Sequence, residues 1–269
     1  ILSRITIRIT LPATIITSFA GRKIDTALLG LVGLAIGCGL LYVLLGYLMN
    51  RKKGRDAQAF AMLNLPGYNI GTFVIPFAQS FLGPMGVVAT SLFDTGNAVI
   101  CLGGAFSLAN MVKDGSGFSL RRIGKALMRS VPFVCYVIML LVNLLGLPIP
   151  GFVLSCAEIV GGANAFMAML MIGVGFQLGS DRSQIGTIVK LLSVRYGIGA
   201  VLAWIFYFVL PLPLEVRQAL VILALSPIGS AVPGFTAELK GDVGLSSAMN
   251  SIAIVISIVI TVVLLLVML

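Results

Sequence analysis

The chain contains no histidine, and only 10% of its residues are charged. Without imidazole, proton relays and metal sites built on histidine are excluded, so any proton coupling falls to aspartate or glutamate. Acidic residues are scarce as well, nine against 18 lysines and arginines. The four cysteines, Cys38, Cys101, Cys135 and Cys156, form no CxxC pair and sit inside apolar stretches, which argues against a disulfide framework or a zinc site. No Walker-type phosphate loop, Ser-His-Asp set or paired catalytic acids occurs, so the reading is a non-enzyme with no cofactor. What is present in excess is apolar surface, at 59% of 269 residues. A water-soluble globular domain does not have this composition.

The apolar residues fall into stretches long enough to cross about 30 Å of hydrocarbon at about 1.5 Å per residue. The predicted helices are 1–20, 26–49, 57–81, 84–111, 127–147, 152–179, 185–210, 214–238 and 242–268. The fold class is therefore all-α and polytopic, with the lipid bilayer as the surrounding partner. The net charge of +9 raises the possibility of nucleic acid, but the basic residues sit beside spans with no polar domain to present them. Nucleic acid is excluded as a partner on that ground. Basic loops at 50–56 and 112–129 alternate with uncharged ones near Gly83 and Pro148, which predicts both basic loops cytoplasmic and the carboxyl terminus outside. Arg22 and Lys23 fall on the less basic side. The first residues read as the interior of a span, so one helix is expected before residue 1.

Two pairs of segments repeat. Gln58 to Pro66 resembles Gln218 to Pro227, and Gly86 to Thr90 resembles Gly244 to Ala248, roughly 160 positions apart in both cases. Corresponding helices lie five places apart along the chain, and an odd displacement forces them into opposite orientations. The expected domains are 1–111 as a first repeat lacking its first helix, 112–126 as connector and 127–269 as the second, inverted repeat. The same helix is interrupted in each copy, at Asn64, Pro66, Gly67, Tyr68 and Asn69 and again at Ser226, Pro227 and Ser230. Proline removes a ladder amide and glycine tolerates unwinding. Freed backbone groups in hydrocarbon cost several kcal/mol each unless buried or facing a watery cavity, so matched breaks mark a binding site. Half-helix amino termini there suit an anion.

These residues resemble the auxin efflux carrier family, within the bile/arsenite/riboflavin transporter superfamily. The resemblance is carried by Leu11-Pro12-Ala13, the break from Asn64, Gly83-Pro84-Met85-Gly86, Asp94-Thr95-Gly96-Asn97 and the stretch from Ser226 to Met268. It implies two inverted five-helix repeats, with broken helices crossing at the substrate site, and a permease for small carboxylates. One departure stands out: plant auxin exporters have Asn-Pro-Asn at the first crossover, whereas Leu65 here separates Asn64 from Pro66. The sodium-coupled bile-acid symporter type shares the architecture, but would call for an acid near the second crossover, and Glu238 comes only at the end of that helix. A non-transporting receptor is the other alternative.

Asp94 lies within a span, where an ionisable side chain faces a cavity or a partner. It is a candidate for coupling, with Asn97 on the same helix face for substrate; the alternative is that both brace unwound backbone. Glu158 is a candidate outer gate or proton acceptor, or a vestibule carboxylate. Asn250, on the helix that repeats the one bearing Asp94, is expected to line the cavity. Asn164 and Gln177 either join helices or line it. Met167, Met169 and Met171 read as packing, and the glycines from Gly30 to Gly39 as close helix contact. A homodimer is compatible with all of this.

Overall fold

A computed structural model describes residues 2–21, 26–115, 117–174 and 184–268, and among these every regular element is a helix. Residues 2–19 form α1 and Ala27–Met49 form α2. The first broken helix is α3 (Arg55–Asn64) and α4 (70–82); Gly83, at φ +67°, then turns the chain into α5 (83–114), which kinks at Gly103. The second half holds α6 (Leu120–Arg129), α7 (Val131–Leu144), α8 (Gly151–Val174) and α9 (Ile185–Phe208). It ends with the second broken helix, α10 (Leu214–Ala224) and α11 (Val232–Glu238), and α12 (Val243–Met268).

Long apolar helices, Ala27–Met49, Ile70–Asp114, Gly151–Val174, Ile185–Phe208 and Val243–Met268, fall on the predicted spans 26–49, 84–111, 152–179, 185–210 and 242–268, with residues 175–179 outside the described ones. The predicted segment from 127 differs. Ser130 breaks it, the chain bends by 82°, and a separate helix, α6, precedes α7 within what reads in the sequence as a plain connector. The cause is local: Ser130 accepts a hydrogen bond from the Phe133 amide as the amino-terminal cap of α7, and Pro132 follows in its first turn. Arg121, Arg122, Lys125 and Arg129 also keep α6 out of hydrocarbon.

Two groups of helices pack side by side. In one, α1 lies against α7 and α8; in the other, α2 rests on α3 and α5, and α9 on α10. Close approach in the second group depends on glycine, though not where the sequence suggests. Gly30, Gly33 and Gly37 face open space, and only Gly39 of that run meets a neighbour, Ile100. Gly96 is the tight position, since a Cβ there would lie 2.1 Å from the Val32 carbonyl oxygen.

The two broken helices run in opposite directions. Lys113 donates to Asp56 (2.9 Å), at the start of α3, and to the carbonyl of Leu239 (2.9 Å), just beyond the end of α11, so the first broken helix begins where the second finishes. At the far side, Gln218 near the start of α10 donates to the Met268 carbonyl at the end of α12. This opposed crossing is what a displacement of five spans along the chain, an odd number, demands.

Candidate functional site

The two breaks meet. Residues 65–69 and 225–231 are both unwound, and the Asn69 amide donates to the Pro227 carbonyl (3.0 Å), joining one break to the other. Unwinding frees more carbonyls than that bond can satisfy. Four carbonyls of the two breaks converge on Arg195 of α9, which is 1% exposed. Its guanidinium donates to Leu65 (2.5 Å) and Gly67 (2.8 Å) of the first break, and to Ser226 (3.0 Å) and Pro227 (3.1 Å) of the second. The rings of Tyr42 and Tyr68 flank it, with centroids 5.6 Å and 5.3 Å from the guanidinium carbon. A planar cation with a fork of donors is suited to collecting several carbonyls at one point. Sequence reading missed this residue. Its signal is present all the same: an arginine deep in a span whose other charged residue, Lys190, lies nearer its start.

On one side of the crossing, Asn64, Thr236 and Ser246 close a ring. Asn64 Nδ2 donates to Thr236 Oγ1 (3.2 Å), Thr236 to Ser246 Oγ (3.2 Å), and Ser246 to Asn64 Oδ1 (2.5 Å). Each comes from a different helix and each is buried to within 1%. On the other side lies a cavity of about 180 Å³, lined by Tyr68, Asn69 and Thr72 of the first broken helix, Asp94 and Asn97 of α5, Tyr136 of α7, and Gly229 to Ala231 of the second break.

Asn97 ties the cavity wall to the unwound backbone. Its Oδ1 accepts from the Tyr68 amide (3.1 Å), and its Nδ2 lies 3.1 Å from the Tyr68 carbonyl and 2.9 Å from Asp94 Oδ1. Asn97 therefore braces the break, as one of its two sequence readings has it. Asp94 does more than brace, because its second oxygen accepts from Tyr136 Oη (2.8 Å) inside the cavity. That bond passes from α5 to α7, between the two helix groups. Gly67, at φ +83°, has no room for a side chain: a Cβ would lie 2.5 Å from Cys101 Sγ.

Of the residues singled out in the sequence, Tyr68, Asn69, Asp94, Asn97 and Ser230 line this cavity. Asn64, Pro66, Gly67, Ser226 and Pro227 belong to the crossing but not to the cavity wall; Asn64 is spent on the ring and the carbonyls of Gly67, Ser226 and Pro227 on Arg195, while Ser226 Oγ is shielded and without a partner. Asn250 corrects an expectation. It lies on α12 away from the cavity, its Oδ1 shielded and without a partner. Glu158 is exposed on α8 and takes no part in the wall. Asn164 joins helices, accepting from Thr10 (3.0 Å), while neighbouring Gln79 donates to the Gly161 carbonyl (3.0 Å). Gln177 lies outside the described residues.

Broken helices that cross in opposed directions over a cavity, inside a multi-pass membrane protein, define the architecture of a secondary transporter. The Sodium Bile acid symporter family model matches residues 187–269, less than half of the chain, and so takes in most of α9, the second broken helix and α12. That family belongs to the bile/arsenite/riboflavin transporter superfamily, whose members are transporters rather than enzymes. The matched stretch contains Arg195 and the second break, but none of Tyr68, Asp94, Asn97 or Tyr136. No curated protein matches the chain.

Proposed function

We propose that this chain is a permease of the auxin efflux carrier type that moves a small organic anion, such as a carboxylate, through the crossing of its two broken helices. The observation that carries the reading is the placement of the cavity. Asn69, Ile70, Gly71 and Thr72 bring the amino terminus of α4 to its wall, where peptide dipoles present partial positive charge. Arg195 adds a fixed positive charge behind the same backbone, and no salt-bridge partner faces it among the described residues. The drive is a proton gradient or the membrane potential, since Asp94 is the acid that reaches the cavity and no nucleotide loop occurs in the sequence.

Transport then exchanges access between the two membrane faces by an elevator or rocking motion of the second helix group against α1, α7 and α8. Few polar bonds oppose it, chiefly Asp94 to Tyr136 at the cavity and Gln79 to Gly161 away from it. The orientation that fits has the loops at 50–56 and 112–129 in the cytoplasm and the carboxyl terminus outside.

The family match favours a second reading, a sodium-coupled organic anion symporter. Glu238, the acid at the end of the second broken helix, is committed to an ion pair with Arg122 and sits outside the cavity. A proton therefore ranks ahead of sodium. The test is current on a solid-supported membrane from proteoliposomes challenged with small carboxylates, with and without a pH gradient, in sodium and in potassium. Saturable current that follows pH supports the proposal; current that requires sodium selects the symporter reading; silence in every condition rejects transport.

A further inference from the structure

Three features of α6 are left unused by the cavity. Its four cations, Arg121, Arg122, Lys125 and Arg129, fall within an arc of about 100° at the helical advance of about 100° per residue, and Leu120, Ile123, Ala126, Leu127 and Met128 fill the opposite arc. Only part of the apolar arc is covered by protein. Ile123 is buried against the kink at Gly103, but Leu120 and Met128 are 74% and 70% exposed. The helix also stands at 82° to α7, so it runs nearly along the membrane plane if α7 crosses it.

Charge balance gives an independent observation. The two ion pairs among the described residues use Lys113 with Asp56 and Arg122 with Glu238. Arg122 is further held over the Phe106 ring, 4.1 Å from its centroid. Arg121, Lys125 and Arg129 are exposed and have no acidic partner there. A helix with one edge on protein, one edge apolar and open, and a third edge of uncompensated cations matches the boundary between acyl chains and acidic headgroups.

We propose that α6 is an interfacial helix that binds acidic phospholipid headgroups through Arg121, Lys125 and Arg129, with Leu120 and Met128 set among the acyl chains. The proposal stands whatever solute the cavity takes. It also has a consequence for the cavity: α6 ends one residue before Ser130, and Ser130, Pro132 and Phe133 form part of the cavity wall. Acidic lipid thereby fixes the start of α7 and that wall with it.

The test is native mass spectrometry of the purified full chain, titrated with phosphatidylglycerol and phosphatidylcholine of matched acyl chains. The unsubstituted protein is expected to retain phosphatidylglycerol preferentially, and the preference is expected to fade as salt is raised, since exposed charges are screened. The variant R121Q/K125Q/R129Q is expected to lose about tenfold or more of that preference. A control with the same change of charge, R51Q/K52Q/K53Q in the other basic loop, is expected to keep it. Three results overturn the proposal: no preference, or a salt-independent one, in the unsubstituted chain; an undiminished preference in the α6 variant; or an equal loss in the control, which would mean that overall charge attracts the lipid. The salt titration needs no variant, so the proposal remains testable even if the α6 substitutions impair folding.

Discussion

The two sides of the crossing each gather buried polar groups and do opposite things with them. On the side of α3 and α11, Asn64, Thr236 and Ser246 spend their hydrogen bonds on one another, and nothing polar is left for a ligand. On the side of α4, Asp94, Asn97, Tyr68 and Tyr136 also bond together, but around open space. Arg195 sits between them and serves both breaks at once. The lesson is that a polar residue in a membrane span marks a function only when its partners leave it something to offer. A fully satisfied buried ring rigidifies its neighbourhood, whereas a partly open one can exchange partners.

The largest effect that would break this comparison comes from the shared centre. Arg195→Met strands the Leu65, Gly67 and Ser226 carbonyls in the interior, leaves Pro227 with only the Asn69 amide, and is expected to cost about 3 kcal/mol or more, read as a fall in melting temperature or loss of folded protein in detergent. Arg195→Lys, with a point charge in place of a planar fork, should recover part of that stability. An Arg195→Met protein as stable as the parent would mean that the breaks hold together without it.

Gly67→Ala should come next, since it combines a left-handed backbone with overlap against Cys101, at about 1–2 kcal/mol for the backbone alone. Pairing it with a smaller residue at Cys101 should relieve the overlap and leave the backbone cost, a separation that a double-mutant cycle in thermal melts can measure. On the locked side, Ser246→Ala opens the ring and is expected to cost about 1–3 kcal/mol through the unpaired Asn64 Oδ1, with substrate recognition unchanged in whatever protein remains folded.

The open side should behave in the reverse manner. Asp94→Asn and Tyr136→Phe are expected to leave melting curves close to the parent while removing the pH dependence of carboxylate current, a coupling of about 1–3 kcal/mol. If Asp94→Asn melted early and kept its pH dependence, the cavity side would be structural as well and the contrast would fail. The smallest effect is expected at Glu158→Gln, where exposure on α8 and distance from the cavity predict unaltered current.

Much of this arrangement was legible in the sequence. The apolar stretches fixed the spans to within a few residues, because hydrocarbon leaves helices little choice of length. Pro66, Gly67, Pro227 and Gly229 located both breaks, because the chemistry that unwinds a helix is local to those residues. Even the opposed crossing followed from counting helices. The connector was misread for a related reason: α6 carries its apolar residues at helical spacing, and only the Ser130 cap and the 82° bend separate it from α7.

The division of labour at the crossing was decided by tertiary structure alone. Asn64, Asn97 and Asn250 are the same residue type within spans, yet one closes a ring, one braces a break beside the cavity and one lies apart from both. Nothing in their local sequence distinguishes them, because which neighbour satisfies an amide depends on helices that arrive from far along the chain. Arg195 and Tyr136 were overlooked for the same reason. Each takes its role from carbonyls or a carboxylate that lie at least 31 positions away in sequence.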